Sequence, residues 1–64
     1  MGLYTVFLKY SNQQMFIGKF SGSNPFDIVK KLFDYIITLK NTNNIKCKSS
    51  VILRDKDNKF YEYH

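Results

Sequence analysis

The chain has 64 residues, of which 44% are hydrophobic and 17% aromatic, and it carries a formal net charge of +5. This apolar composition excludes an intrinsically disordered chain, and the short length excludes a second domain and a deep active-site pocket. The excess of basic residues favours a polyanionic partner, nucleic acid above all. We therefore expect residues 1–64 to form a single folded domain.

Cysteine and histidine, which often carry chemistry, occur once each. Cys47 has no second thiol for a disulfide or a thiolate metal site, which indicates a reducing compartment inside the cell. We expect Cys47 to be a small inward-facing residue of a strand and the terminal His64 to be solvated. The carboxylates are scattered, so the sequence predicts a protein that is not an enzyme and has no catalytic residue, metal or cofactor. The longest apolar run, residues 35–39, is far shorter than a membrane span, so we expect no membrane partner.

The first third of the chain reads as a β-hairpin. Alternating residue types predict one strand over residues 3–10 and a second over residues 14–20, joined by a turn at residues 11–13. Gly18, inside the second strand, indicates a bulge or a close approach by another group. The predicted core face of the first strand consists of Tyr4, Val6, Leu8 and Tyr10.

A helix is predicted to follow a turn at Gly22. Ser23 or Asn24 provides the N-cap, Pro25 occupies the first helical position, and the helix ends at about Leu39. Apolar residues recur at spacings of three and four, which predicts one broad face packed on the sheet. That face is predicted to contain Val29, Leu32, Phe33, Ile36 and Ile37.

The last third reads as a second hairpin. Residues 45–54 alternate and predict a third strand, with Lys46 and Lys48 on its exposed face. Ser49 and Ser50 interrupt the alternation and indicate a bulge or a strand break. Residues 59–63 predict a fourth strand after a turn at residues 55–58. The element order is ββαββ. The predicted fold class is therefore an α+β mini-domain, a twisted antiparallel sheet or partial barrel of two hairpins with one helix packed across it.

Two segments resemble a known family. Residues 7–31 are similar to the opening of that family, in which a first hairpin ends in the pattern Gly-x-Phe-Thr/Ser-Gly-x-x-Pro and a helix follows. Residues 51–63 are similar to its Ile-x-Leu-Arg-Glu strand, basic turn and aromatic final strand. The chain resembles, in a shortened form, the small non-histone chromosomal proteins of methanogenic archaea and their relatives in large DNA viruses. This resemblance implies a monomeric protein that binds double-stranded DNA with weak sequence preference and bends it.

The cations suggest a nucleic-acid surface on or beside the second hairpin. A basic two-stranded ribbon follows a groove or lies along phosphates, and a single arginine does not specify a base sequence. Tyr61 and Tyr63 share one face of the predicted fourth strand, where they either stack on bases or cover the edge of the core. Besides these two tyrosines, the predicted nucleic-acid-binding residues are Lys9, Lys46, Lys48, Arg54, Lys56 and Lys59.

The sequence also fits a second class of function. A compact basic domain with exposed aromatic residues is suited to be a protein-interaction or assembly module of a viral particle or ribonucleoprotein. There, strand edges pair with a partner or a second copy, and the lysines meet RNA or an acidic protein surface. Both hypotheses place the protein inside the cell, in a nucleoid, nucleus or virion, and both leave monomer and homodimer open.

Overall fold

The computed structural model describes residues 2–64 and contains one four-stranded antiparallel sheet and one helix. Along the chain the elements are β1 (Gly2–Tyr10), β2 (Gln13–Gly22), α1 (Pro25–Thr42), β3 (Ser49–Arg54) and β4 (Phe60–Tyr63). The order of strands in the sheet is β2-β1-β3-β4, so β1 lies between its hairpin partner and β3. The predicted α+β class and ββαββ order are confirmed.

The first hairpin has a two-residue turn. Ser11 and Asn12 both have positive φ angles, 47° and 63°, as the tight turns between twisted strands require. Gln13 already pairs with Tyr10, so β2 begins one residue earlier than predicted.

The bulge predicted at Gly18 is present in β2. Val6 pairs with Gly18 and Phe7 pairs with Phe16, so Ile17 is an extra residue without a partner on β1. The strand alternation changes phase at this point. Consequently Phe16 and Lys19 lie on the same side of the sheet, although regular alternation places them on opposite sides.

Asn24 is the N-cap of α1. Its side-chain oxygen accepts a hydrogen bond from the Asp27 backbone N–H at 2.9 Å, which settles the choice between Ser23 and Asn24. Ser23 supports the same turn, because its hydroxyl donates to the Asp27 carboxylate at 2.6 Å. The helix ends at Thr42, three residues beyond the predicted Leu39.

The third strand is shorter than predicted. It begins at Ser49, which pairs with Tyr10, and the predicted strand residues 45–48 form part of the connection from α1. The reason is that β1 turns away at Ser11, so residues before Ser49 have no neighbouring strand with which to pair. Cys47 is exposed, with its sulfur 3.1 Å from the Ser11 hydroxyl, and the prediction that it faces inward is wrong.

The hydrophobic core lies between α1 and one side of the sheet. The core face predicted for β1 is confirmed, because its side chains are buried or pack against buried ones. The predicted helix face is partly wrong: Phe33 and Ile37 are 59% and 42% exposed, whereas Ile28, absent from the predicted face, is 1% exposed. The buried residues of the core are Tyr4, Val6, Leu8, Ile28, Ile36, Val51 and Leu53.

Gly22 allows α1 to approach the end of β2 closely. A Cβ atom at Gly22 would lie 2.9 Å from Cγ1 of the buried Ile28, whereas one at Gly2, its partner on β1, would make only ordinary contacts with Tyr4. Gly22 was predicted as a turn after a strand that ends at Phe20, but it is the last residue of β2. It is the packing point between helix and sheet.

Candidate nucleic-acid interface

One side of the sheet carries no helix in the described part of the chain, and we call it the open face. Its residues alternate along each strand with the core residues on the helix side. The open face consists of Leu3, Thr5, Phe7 and Lys9 on β1, Gln14, Phe16, Lys19 and Ser21 on β2, Ser50, Ile52 and Arg54 on β3, and Phe60 and Glu62 on β4.

Two cations flank the central strand on the open face. Thr5 pairs with Lys19 on one side and with Arg54 on the other, and Arg54 pairs in turn with Phe60. Neighbouring strands are about 4.8 Å apart, so the backbones that carry the two cations are about 10 Å apart. Lys56, in the β3–β4 turn, borders the same shallow depression as these cations.

Phenylalanine side chains lie among these cations. The rings of Phe7 and Phe16 meet edge to face with centroids 5.9 Å apart, and the Arg54 guanidinium lies 6.0 Å from the Phe7 centroid. Phe16 and Phe60, on the outer strands β2 and β4, are 60% and 61% exposed. The open face therefore combines positive charge with aromatic surface that is free to contact a ligand.

The predicted cations lie in three places. Lys9 and Arg54 lie on the open face, and Lys56 borders it. Lys59 lies on the helix side, with its ammonium group 5.6 Å from the centroid of the Tyr61 ring. Lys46 and Lys48 were expected on a strand, but both are exposed in the α1–β3 connection. Lys48 also borders a groove at the end of the sheet that Lys9 shares.

Tyr61 and Tyr63 do not belong to the open face. Both are half-buried on the helix side. The ring centroids of Tyr61 and Tyr4 are 6.2 Å apart, and those of Tyr63 and Phe26 are 6.0 Å apart. The sequence leaves two interpretations of these tyrosines open. Their positions agree with covering the edge of the core and do not agree with stacking on bases.

Four residues of the open face were missing from the predicted site. The sequence does not indicate Lys19 and Phe16, because the bulge changes the phase of β2. It does not indicate Phe60, because Tyr61 and Tyr63 are the more prominent aromatic residues of the same strand. Phe7 was assigned to the non-core face of β1 without a function. Alternation alone was a sufficient signal for Phe7 and Phe60, whereas Lys19 becomes a neighbour of Arg54 only once β1 is known to be the shared central strand.

Asp55 organises the turn that carries Lys56. One oxygen of its carboxylate accepts hydrogen bonds from the backbone N–H groups of Asp57 and Lys59, both at 2.9 Å, and the other accepts from the Tyr61 hydroxyl at 3.1 Å. The bond from the Lys59 N–H is the main reason that the pKa of Asp55 lies below its ordinary value of 3.8. The pKa of Tyr61 is raised, chiefly by desolvation and then by its bond to Asp55.

The Asp55 network predicts acid sensitivity. Because the pKa of Asp55 is lower in the folded state, its contribution to stability is complete above the unfolded value of 3.8 and is lost as the pH falls through the folded value. We expect the urea midpoint of the wild type to fall more steeply than that of Asp55→Asn as the pH drops below about 4. Asp57→Asn, in the same exposed turn, is the matched control and should keep the wild-type pH profile. Parallel profiles for the wild type and Asp55→Asn would contradict the assignment.

Fold and surface together define a small α+β protein with a basic, aromatic sheet face. Comparison of the chain with protein-family models, with curated proteins and with solved structures finds no match. The resemblance to archaeal chromosomal proteins therefore stays a prediction. Within residues 2–64, no helix combines the length and apolar character needed to cross a bilayer. In the same residues, no three His, Cys, Asp or Glu side chains gather as a metal site would require.

Proposed function

We propose that this protein is an architectural DNA-binding protein that holds duplex DNA against the open face with weak sequence preference. One observation carries the proposal: Lys19, Arg54, Phe16 and Phe60 lie together on a side of the sheet that no other described element covers. The resemblance to small chromosomal proteins of archaea and large DNA viruses supports the same function. In this proposal the protein acts by binding alone, in a nucleoid, nucleus or virion.

The cations supply affinity without a base code. Lysine ammonium groups neutralise phosphates as point charges and release counterions from the duplex, which makes binding strong at low salt and insensitive to sequence. Arg54 is the one arginine of the chain, and its guanidinium lies over Phe7. A single bidentate donor discriminates at most one base pair. Weak specificity is thus expected from the composition of the face.

The exposed phenylalanines give the face a means to deform DNA. Proteins that bind the minor groove often insert apolar side chains between base steps, and the resulting kink bends the duplex. Phe16 and Phe60 lie on the two outer strands, with β1 and β3 between them, and are the most exposed large apolar side chains of the sheet. We propose that these two rings act as wedges, with the cations holding the phosphates on either side.

The test is a fluorescence-anisotropy titration with a labelled 20-base-pair duplex at several salt concentrations. Two unrelated duplex sequences, a single strand of equal length and a double-stranded RNA serve as comparators. We expect similar affinity for both duplexes. The slope of log affinity against log salt concentration should be about −3, since each phosphate contact contributes about −0.9 and about three contacts are expected. Absence of duplex binding near 50 mM salt would overturn the proposal. Preference for the single strand would instead assign the phenylalanines to base stacking.

A further inference from the structure

A second apolar surface lies on the opposite side of the sheet from the open face. Phe26, Phe33 and Ile37 of α1 are 53%, 59% and 42% exposed. Their spacings of seven and four residues put them on one side of the helix. They face a groove whose far wall contains Val51 of β3 and Tyr63 of β4, and we call this the helix groove. Contiguous exposed apolar surface of this kind marks interaction sites in small proteins.

The charged side chains that line the helix groove are both lysines. Lys30 and Lys40 line it, with the Lys30 ammonium group 5.6 Å from the centroid of the Phe26 ring. Among the described residues no aspartate or glutamate lines the groove. The two lysines are ten residues apart on α1, or about 15 Å along the helix axis, so a ligand lying along the groove meets a cation near each end.

We propose that the helix groove binds an acidic peptide segment with apolar side chains, supplied by a partner protein. The apolar side chains pack between α1 and β4, and the carboxylates pair with Lys30 and Lys40. A second copy of this chain is a poorer occupant, because each copy has a net charge of +5 and brings the same lysines to the contact. The proposal concerns a different surface from the DNA-binding proposal and does not depend on it.

The occupant's chemistry is tested by selecting a random 12-residue peptide library on the immobilised protein. We expect enrichment of peptides that combine Asp or Glu with Leu, Ile or Phe. A labelled copy of the most enriched peptide then binds the wild type in a fluorescence-anisotropy titration. Binding should be at least tenfold weaker to Phe33→Ser and to the double variant Lys30→Glu/Lys40→Glu. Ile37→Ser is a second apolar variant for the case that Phe33→Ser fails to fold.

Phe16→Ser is the matched control, because Phe16 is as exposed as Phe33 but lies on the open face. It should leave peptide affinity unchanged, while Phe33→Ser leaves the affinity for the 20-base-pair duplex unchanged. The proposal is overturned if no peptide is enriched, if the enriched peptides lack acidic residues, or if they bind Phe33→Ser as tightly as the wild type. A wild-type dimer that Phe33→Ser converts to a monomer in sedimentation would assign the groove to a second copy instead.

Discussion

Neutralising Lys19 and Arg54 together, as Lys19→Gln/Arg54→Gln, is expected to weaken duplex binding about 30-fold at 0.15 M salt. Each lost phosphate contact makes the slope of log affinity against log salt concentration shallower by about 0.9. Two lost contacts, counted from 1 M salt down to 0.15 M salt, lower the affinity by about 30-fold. Both side chains flank Thr5 on the open face, so a duplex lying on this face meets them together. The measurement is the anisotropy titration across salt, in which the slope should become shallower by about 1.8.

The control variant for this prediction is Lys30→Gln/Lys31→Gln, which removes the same formal charge from exposed positions of α1. It should retain most of the affinity, because α1 lies on the other side of the sheet. Equal losses in the two double variants would show that net charge, and not the open face, determines binding. A loss confined to Lys30→Gln/Lys31→Gln would move the interface to the helix.

Leu53→Ala is expected to lower the free energy of unfolding by about 2–5 kcal/mol, the range seen when a buried leucine is truncated in a packed core. Leu53 is fully buried, and it pairs with Val6 on one side and Tyr61 on the other. A chain of this size has a total stability of about 3–10 kcal/mol, so the variant should lose a large share of it. Urea denaturation followed by circular dichroism measures the loss.

Leu3→Ala provides the comparison for Leu53→Ala, since Leu3 is 54% exposed on the same sheet. We expect its free energy of unfolding to stay within about 0.5 kcal/mol of the wild type. Similar losses at the two positions would mean that the helix side of the sheet is not the principal core.

The sequence predicted the elements of the fold well where local signals were complete. Asn24 and Pro25 give a capped helix start, and the alternation of residues 3–10 gives both the strand and its buried face. The third strand was extended to residues 45–48 because the alternation of Ile45 to Lys48 continues the strand pattern. Whether such a segment joins a sheet depends on a neighbouring strand, and β1 has already turned away at Ser11.

The candidate interface was predicted less well, because it depends on contacts between distant segments. Alternation placed Lys9 and Arg54 on the faces where they occur, but no local signal shows that β1 separates β2 from β3. The bulge at Ile17 reverses the side on which Lys19 lies, and a glycine indicates such a bulge without giving its register. The tyrosines of β4 were ambiguous for a related reason: half-burial depends on how far α1 covers the sheet.

The central position of β1 also has a consequence for how the protein folds during synthesis. The hairpin of β1 and β2 is local and can form as soon as residues 2–22 leave the ribosome. The other edge of β1 then stays unpaired until β3 has also left the ribosome, after the whole of α1. At about 5–20 residues per second this delay is on the order of a few seconds. During that time the nascent chain presents an open apolar strand edge, so aggregation or chaperone capture is most probable at this stage of its production.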